Sequence, residues 1–348
     1  MNKVDYIVVG CGLAGIAFCE QLRMARKSFI VFDNQSQQSS RVAAGLFNPV
    51  ILKRFTKVWN ASSQLSLMRP KYDALEALLK EKFIHDVPIY RKFASIQEQN
   101  EWFVAADKPI LSDFLSLNLK QNSNPSIKAE FGFGEVLETG RVHTSLLVAS
   151  YKKFLKETNR LVETSFNYDQ LKMAANTITY QNIEAGQIVF AEGFGLVQNP
   201  FFKYLPLNGT KGEMLTIKAP SLQLDVILKS SVFVVPLGSD LYWVGATYER
   251  NDKTHTVTEM AKEALLSKLK DIIKCDFEIV EQVAGIRPTT KDRRPLVGVH
   301  SSFKNMSVLN GLGTRGVMIS PYVAQQLFNH IEHGSLLDPE IDIKRFKN

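Results

Sequence analysis

Three glycines, Gly10, Gly12 and Gly15, stand in "VVGCGLAGIAF" between a short apolar run and a stretch with helical apolar spacing at Leu13, Ile16, Ala17 and Leu22. In that setting Gly10 permits a tight turn, Gly12 lets the backbone approach a pyrophosphate, and Gly15 lets the helix lie close to the strand. The helix start, at Leu13 and Ala14, offers N–H donors and a positive dipole end to an anion. A second apolar run, "SFIVFD", ends in Asp33, 18 residues after Gly15, where a carboxylate can accept from a ribose diol. An acid there argues against a 2′-phosphate and leaves NAD or the adenosine half of FAD. Far along the chain, "AGIRPTTKDRRP", residues 284 to 295, sets Arg287 against a proline. Pro288 disfavours helix at Arg287, and the charged half that follows is turn chemistry, so taken alone the stretch is a strand end and a solvated loop.

These residues need elements to hold them. "VDYIVV" reads as a buried strand and "SFIVFD" as its neighbour. Residues 62 to 83 have helical spacing at Leu65, Met68, Leu75, Leu78 and Leu79, interrupted by Pro70, and predict one kinked helix or two. Residues 144 to 159 predict an amphipathic helix capped by Thr144 or Ser145, followed by a strand over 161 to 166. Alternating runs between 205 and 249, with Gly-Ser-Asp as a hairpin turn, predict an antiparallel or mixed sheet. Near the end, a strand at Met306 to Asn310 runs into Gly311, Gly313 and Gly316, and a helix is expected to begin near Pro321. This second strand, glycine loop and helix is what a flavin enzyme needs. Its N–H groups can sit at the pyrimidine edge of an isoalloxazine and stabilise the charge that develops on reduction.

Composition bounds the rest. The 348 residues exceed one typical core, so two domains or one large α/β unit are expected. With 45% hydrophobic and 22% charged residues, the chain is neither disordered nor fibrous. The net charge of +7, from 42 basic against 35 acidic residues, is compatible with an anionic ligand or a nucleic acid and proves neither. Three cysteines, Cys11, Cys19 and Cys275, make no disulfide framework, and no spacing suggests zinc, so no metal is expected. No signal-peptide pattern and no run long enough for a membrane helix is found, so a soluble, cytoplasmic protein is expected.

Four stretches, "SSRVAAGLFNP", "AGIRPTTKDRRPLVG", "GLGTRGVMISP" and "GSLLDPEIDIKRF", resemble in the same order the signatures of the D-amino-acid-oxidase-like FAD oxidoreductases. The resemblance covers nearly the whole chain. It implies an α/β fold: a Rossmann-type, glutathione-reductase-like FAD-binding domain with an inserted α+β substrate domain that carries a mixed, largely antiparallel sheet. The FAD-binding domain is expected from residues 1–83, 141–204 and 284–348, and the substrate domain from 84–140 and 205–283. It implies that Ala43, Ala44 and Gly45, with Asn34, Ser40 and Arg41 beside them, run under the pyrophosphate and flavin of FAD. Ala191 and Gly193 match an A-T-G element in which Glu192 replaces the usual Thr. Gly311, Gly313, Thr314, Arg315 and Gly316 form the flavin-side loop. No cysteine lies in residues 287 to 298, where some relatives attach the flavin, so FAD is expected to be noncovalent.

In the amino-acid-oxidising relatives the arginine of G-x-R-P pairs with the substrate carboxylate, and Arg287 matches it. A planar guanidinium can take a carboxylate bidentately. The competing role is an internal ion pair with Asp292 or another acid, while Arg293 and Arg294 read as solvated loop charges. Arg315 is expected to reach the flavin or the substrate, or to support the backbone. A tyrosine that faces substrate in the family is Phe233 here, which leaves Tyr242 and Tyr248 as alternatives. Three functions follow. The first is oxidation of a small amine-bearing carboxylate, with O2 or another electron acceptor. The second is oxidation of a carboxymethylated uridine in tRNA, since "GLGTRG" is most similar to the FAD oxidase half of the bifunctional enzyme that trims it. Its basic cluster, Lys53, Arg54 and Lys57, is short, and this reading is not favoured. The third is a non-catalytic flavoprotein. No membrane partner is expected, and the oligomeric state is left open.

Overall fold

The computed structural model describes residues 2–174 and 177–346. Residue 1 and residues 347–348, the outer ends of the expected first and last segments, lie outside them. The strand Asn2–Val9 sits at the centre of an eight-stranded sheet, because its side chains alternate between two cores: Tyr6 and Val8 enter one, Ile7 and Val9 the other. Its parallel neighbours are Phe29–Phe32 and Ile183–Phe190. Leu161–Val162 lies beyond the first, and Met306–Asn310 beyond the second. Helices Leu13–Met24, Thr144–Glu157 and Gly316–His333 cover one face, and Ala61–Leu79 packs on the last of them. All the strands that carry glycine loops therefore end at the same edge.

The second sheet has seven strands in the order Glu278–Arg287, Thr210–Lys218, Leu241–Gly245, Phe233–Gly238, Ile227–Lys229, Ile89–Lys92 and Phe133–Val136. Every pair is antiparallel except Ile227–Lys229 with Ile89–Lys92. Gly238, Ser239 and Asp240 all take positive φ and form the expected hairpin turn. Helix Glu259–Lys270 packs on one face through Leu265 and Leu269, and helix Ile96–Ala106 on the other through Trp102. The fold is α/β, a Rossmann-type sheet joined to a mixed, largely antiparallel one. The strand Glu278–Arg287 runs through position 284, so Arg287 belongs to the second sheet.

One of two alternatives is met and three local expectations change. Residues 61–79 form a single helix with Pro70 inside it; Pro70 and Ser66, whose carbonyl loses its partner, both lie on the exposed side, where water can answer. The C-terminal helix begins at Gly316 and contains Pro321. The carbonyl that Pro321 leaves free, that of Val317, accepts instead from Tyr72 Oη at 2.9 Å. Neither Thr144 nor Ser145 caps its helix: His143 is the N-cap, and the Thr144 hydroxyl donates to the Ala43 carbonyl at 3.1 Å. The strand expected over 161–166 is only Leu161–Val162, because Phe166 turns into an aromatic core and stacks on Tyr180.

Candidate active site

The first glycine loop is tight where it must be. A Cβ on Gly15 would stand 2.0 Å from the Gly10 carbonyl oxygen, and one on Gly10, at φ +104°, would stand 2.4 Å from that of Ala191. Gly12 differs: its Cβ would meet only the Ser40 side chain, with Oγ at 3.0 Å, on the cleft side. Asp33 Oδ2 accepts from the Cys11 N–H at 2.6 Å, and Oδ1 pairs with Lys152 Nζ at 2.7 Å. Ser40 Oγ accepts from the Leu13 N–H at 3.2 Å, and Asn34 Nδ2 donates to Ser165 Oγ at 3.1 Å.

The chain then crosses to the second sheet. The short helix Ser39–Val42 lies so close to strand Glu278–Arg287 that a Cβ on Gly285 would reach Val42 Cγ2 at 2.7 Å. Gly45, at φ +72°, has no room for a side chain beside the Val142 carbonyl. The second glycine loop is fastened on both sides. Asn310 Nδ2 donates to the Gly193 carbonyl at 2.9 Å, and the Gly313 N–H to the Pro288 carbonyl at 3.0 Å. Gly10, Gly12, Leu13, Ala14, Asp33, Asn34, Ser40, Arg41, Ala43, Ala44, Gly45, Ala191, Gly193, Gly313, Thr314, Arg315 and Gly316 all line one cleft of about 1550 Å³. Gly15 and Gly311 support that wall from behind.

Glu192, the departure from A-T-G, is answered within the protein. Tyr168 Oη donates to one carboxylate oxygen and Asn199 Nδ2 to the other at 2.8 Å. Burial pushes its carboxyl above the usual range, and the two donors oppose that.

Arg287 is not answered in this way. Its guanidinium lies over Gly212, where a Cβ would come within 2.1 Å of Nη2. It stacks on the Tyr248 ring at 4.6 Å and makes one long bond, from Nη1 to the Thr247 carbonyl at 3.3 Å. Among the described residues no carboxylate lies within ion-pair distance of Arg287 or of Arg315. Burial pushes both guanidinium groups below their usual value. Asp292, the competing partner, pairs with Arg345 at 2.9 Å. Arg294 is no solvated charge either: it pairs with Glu340 at 2.8 Å and lies over Trp59.

Tyr242 does not belong to the site. Strand alternation turns it into the core under helix Glu259–Lys270, where its hydroxyl accepts from the Leu224 N–H at 3.2 Å. Its neighbour Trp243 takes the cleft face instead, with Nε1 3.3 Å from the Val42 carbonyl. Tyr248 and Phe233 line the cleft.

A model of the family described as FAD dependent oxidoreductase (DAO) matches residues 5–329. The chain belongs to this DAO family. Glycine oxidase of Pseudomonas aeruginosa is 21% identical over 337 residues, 90% of this chain and 91% of that protein. The alignments with the glycine oxidases of Bacillus subtilis, at 28% identity, and Geobacillus kaustophilus, at 31%, take in only 39% and 32% of those proteins. The crystal structure of the Geobacillus kaustophilus glycine oxidase superposes with a TM-score of 0.82 over 100% of both chains at 18% identity, a likeness of fold.

The DAO family uses FAD, and the residues present fit it. The open side of Gly12 and the helix start at Leu13 suit a pyrophosphate, and Asp33 suits a ribose diol that shares it with Lys152. The loop from Gly311 to Gly316 faces the same cleft from the other side. Sequence reasoning missed Lys152, Gly212, Trp243 and Lys229, another cleft residue. Neither Lys152 nor Lys229 carries a local sequence signal. The isolated Gly212 inside a strand was a signal of close approach that went unused.

Proposed function

We propose that this enzyme oxidises the carbon–nitrogen bond of a small amine that carries a carboxylate, such as a D-amino acid, glycine or an N-substituted glycine. The observation that carries the reading is Arg287: a half-buried guanidinium, without an acidic partner among the described residues, over a glycine that makes room for it and beside the crossing from the first glycine loop. Its planar fork takes a carboxylate through two parallel N–H bonds, which fixes the orientation of the adjacent carbon. Arg315, equally unpaired, adds positive potential, and Trp243, Phe233 and Met214 give the cleft apolar walls.

FAD, held noncovalently, supplies the two-electron acceptor for the C–H bond next to the substrate nitrogen. As that bond breaks, the nitrogen lone pair closes a C=N bond, and water hydrolyses the imine afterwards. No side-chain base is drawn into this step. The amine reacts as its free base, and the cations Arg287 and Arg315 disfavour a protonated ammonium beside them.

Anaerobic mixing of the yellow holoprotein with a panel of amines and amino acids tests the reading. Bleaching by carboxylate-bearing amines, with return of colour in air, is expected; a flavin that no amine reduces overturns it. Acid precipitation is expected to free the flavin, and colour left in the pellet would contradict noncovalent binding.

A further inference from the structure

Lys229 lies at the far end of the cleft floor from Arg287. Backbone pairing sets Lys229 opposite Phe233, Phe233 opposite Gly245, and Gly245 opposite Met214. All four line the cleft, so they form one row across its floor. Arg287 covers Gly212, the next residue on the same face after Met214. Three steps of about 4.8 Å separate the strand of Lys229 from that of Gly212, and the lysine leans one strand inward, which leaves on the order of 10 Å between the two cations. The floor between them carries no charge.

No acid answers this ammonium. Among the described residues it has no carboxylate partner, and its one hydrogen bond is a long one to the Ser231 carbonyl at 3.5 Å. Its charged neighbours are like-charged: Arg91, opposite it in register and paired with Glu98, and Lys268, also at the cleft. Burial first, then these two cations, push the ammonium down to about 8. An anion beside it would relieve both penalties. Its seat is the face of Phe233, with Nζ 4.6 Å from the ring centroid. A phenyl face holds an ammonium in place without competing for its protons, whereas a tyrosine there would bring its own acceptor. The missing hydroxyl at position 233 thus has a use.

We infer that Lys229 is a second anion anchor, and that the substrate is an amine bearing two acidic groups, one carboxylate on Arg287 and a second on Lys229. This rests on the reading of Arg287 given above. The second carboxylate is several bonds from the first, as in glutarate or adipate rather than malonate.

The test uses holoprotein and non-oxidisable ligands, read at pH 7 by flavin absorbance and by calorimetry. The series succinate, glutarate, adipate and pimelate is set against monocarboxylates of equal chain length. One dicarboxylate is expected to bind about 10- to 100-fold tighter than its monocarboxylate counterpart, the range of a desolvated charge pair. In Lys229→Met that ratio is expected to fall to about one, in Lys229→Arg to persist, and in Arg287→Met both ligands are expected to weaken together. A wild-type ratio near one, or a ratio that survives Lys229→Met, overturns the anchor. Inorganic phosphate or a phosphonate-tailed acid binding tighter than every dicarboxylate overturns the carboxylate as the second group. The two readings fail separately. If no amine bleaches the flavin while the ratio behaves as expected, oxidation is wrong and the anchor stands; if amines bleach it and the ratio is one, only the anchor falls.

Discussion

Glu192 and Arg287 are both charged, both half-buried at the same cleft, and treated in opposite ways. Glu192 has each oxygen filled by a protein donor, from Tyr168 and Asn199. Arg287 has an aromatic face, one long bond and no acid. Desolvating an ion costs several kcal/mol unless it is paired, so a fold keeps an unpaired one only where something else completes it. The first residue is architecture that happens to line the cleft. The second is the proposed carboxylate site. The same contrast separates Asp292, absorbed by Arg345, from Lys229, whose charged neighbours Arg91 and Lys268 are both cations.

Substitutions can break or sharpen that contrast. The largest effect is expected from Gly15→Ala, because its Cβ would stand 2.0 Å from a backbone oxygen that cannot move alone. Loss of about 3 kcal/mol or more of stability, and of bound flavin, should show in thermal unfolding and in the ratio of visible to ultraviolet absorbance. Gly212→Ala is expected to do the reverse. The atoms it meets are the far end of Arg287, so the fold survives while the guanidinium moves. Flavin content should stay normal and the rate of flavin reduction fall about 10- to 100-fold, the order that misplacing an orienting group by an ångström costs.

Smaller effects should carry opposite pH signatures. Glu192→Gln keeps one of two hydrogen bonds and is expected to cost about 1 kcal/mol of stability with no change in reduction rate per flavin. The folded-state carboxyl is raised by burial, so its contribution to wild-type stability weakens as pH rises from about 4.5 through the raised value. The gap between wild type and variant should therefore be widest in acid and narrow towards alkaline pH. Asp252 is the mirror case. The hydrogen bond from the buried Lys211 ammonium, 2.5 Å away, holds its carboxyl well below the usual range. Its stabilisation is full above an ordinary aspartate pKa and lost as pH falls. Asp252→Asn should lower Tm at pH 7, and the difference should begin to narrow below about pH 4 and close only as pH falls through the lowered folded-state value.

Much of this was legible in the sequence, for a physical reason. Gly15 packs on Gly10, five residues back, and Gly10 and Gly311 take positive φ at strand ends, so local turn chemistry reveals them even though Gly10 also abuts the distant Ala191 carbonyl, and a buried parallel strand such as "FIVF" shows as an unbroken apolar run. The hairpin at Gly238 to Asp240 was legible in the same way. What was not legible depends on phase and distant pairing. Tyr242 and Trp243 are one residue apart, and a shift of one position decides which faces the cleft. The helix start at Gly316 rests on Tyr72, 245 residues away, answering a carbonyl that Pro321 leaves free. The space for Arg287 is made by Gly212 on another strand, and Lys229 gains meaning only from pairing that sets it in one row with Met214.

The central claim is that Arg287 orients a substrate carboxylate. Stopped-flow reduction of the bound flavin in Arg287→Met tests it most directly, with a carboxylate-bearing amine and its carboxylate-free analogue run side by side. Normal flavin content is expected, with a loss of roughly 30-fold to several thousandfold in kcat/KM for the first, the range for truncating one desolvated charge pair, and little change for the second. Equal losses for both amines, or loss of flavin and stability with the rate per flavin unchanged, would make Arg287 a structural residue and contradict the account.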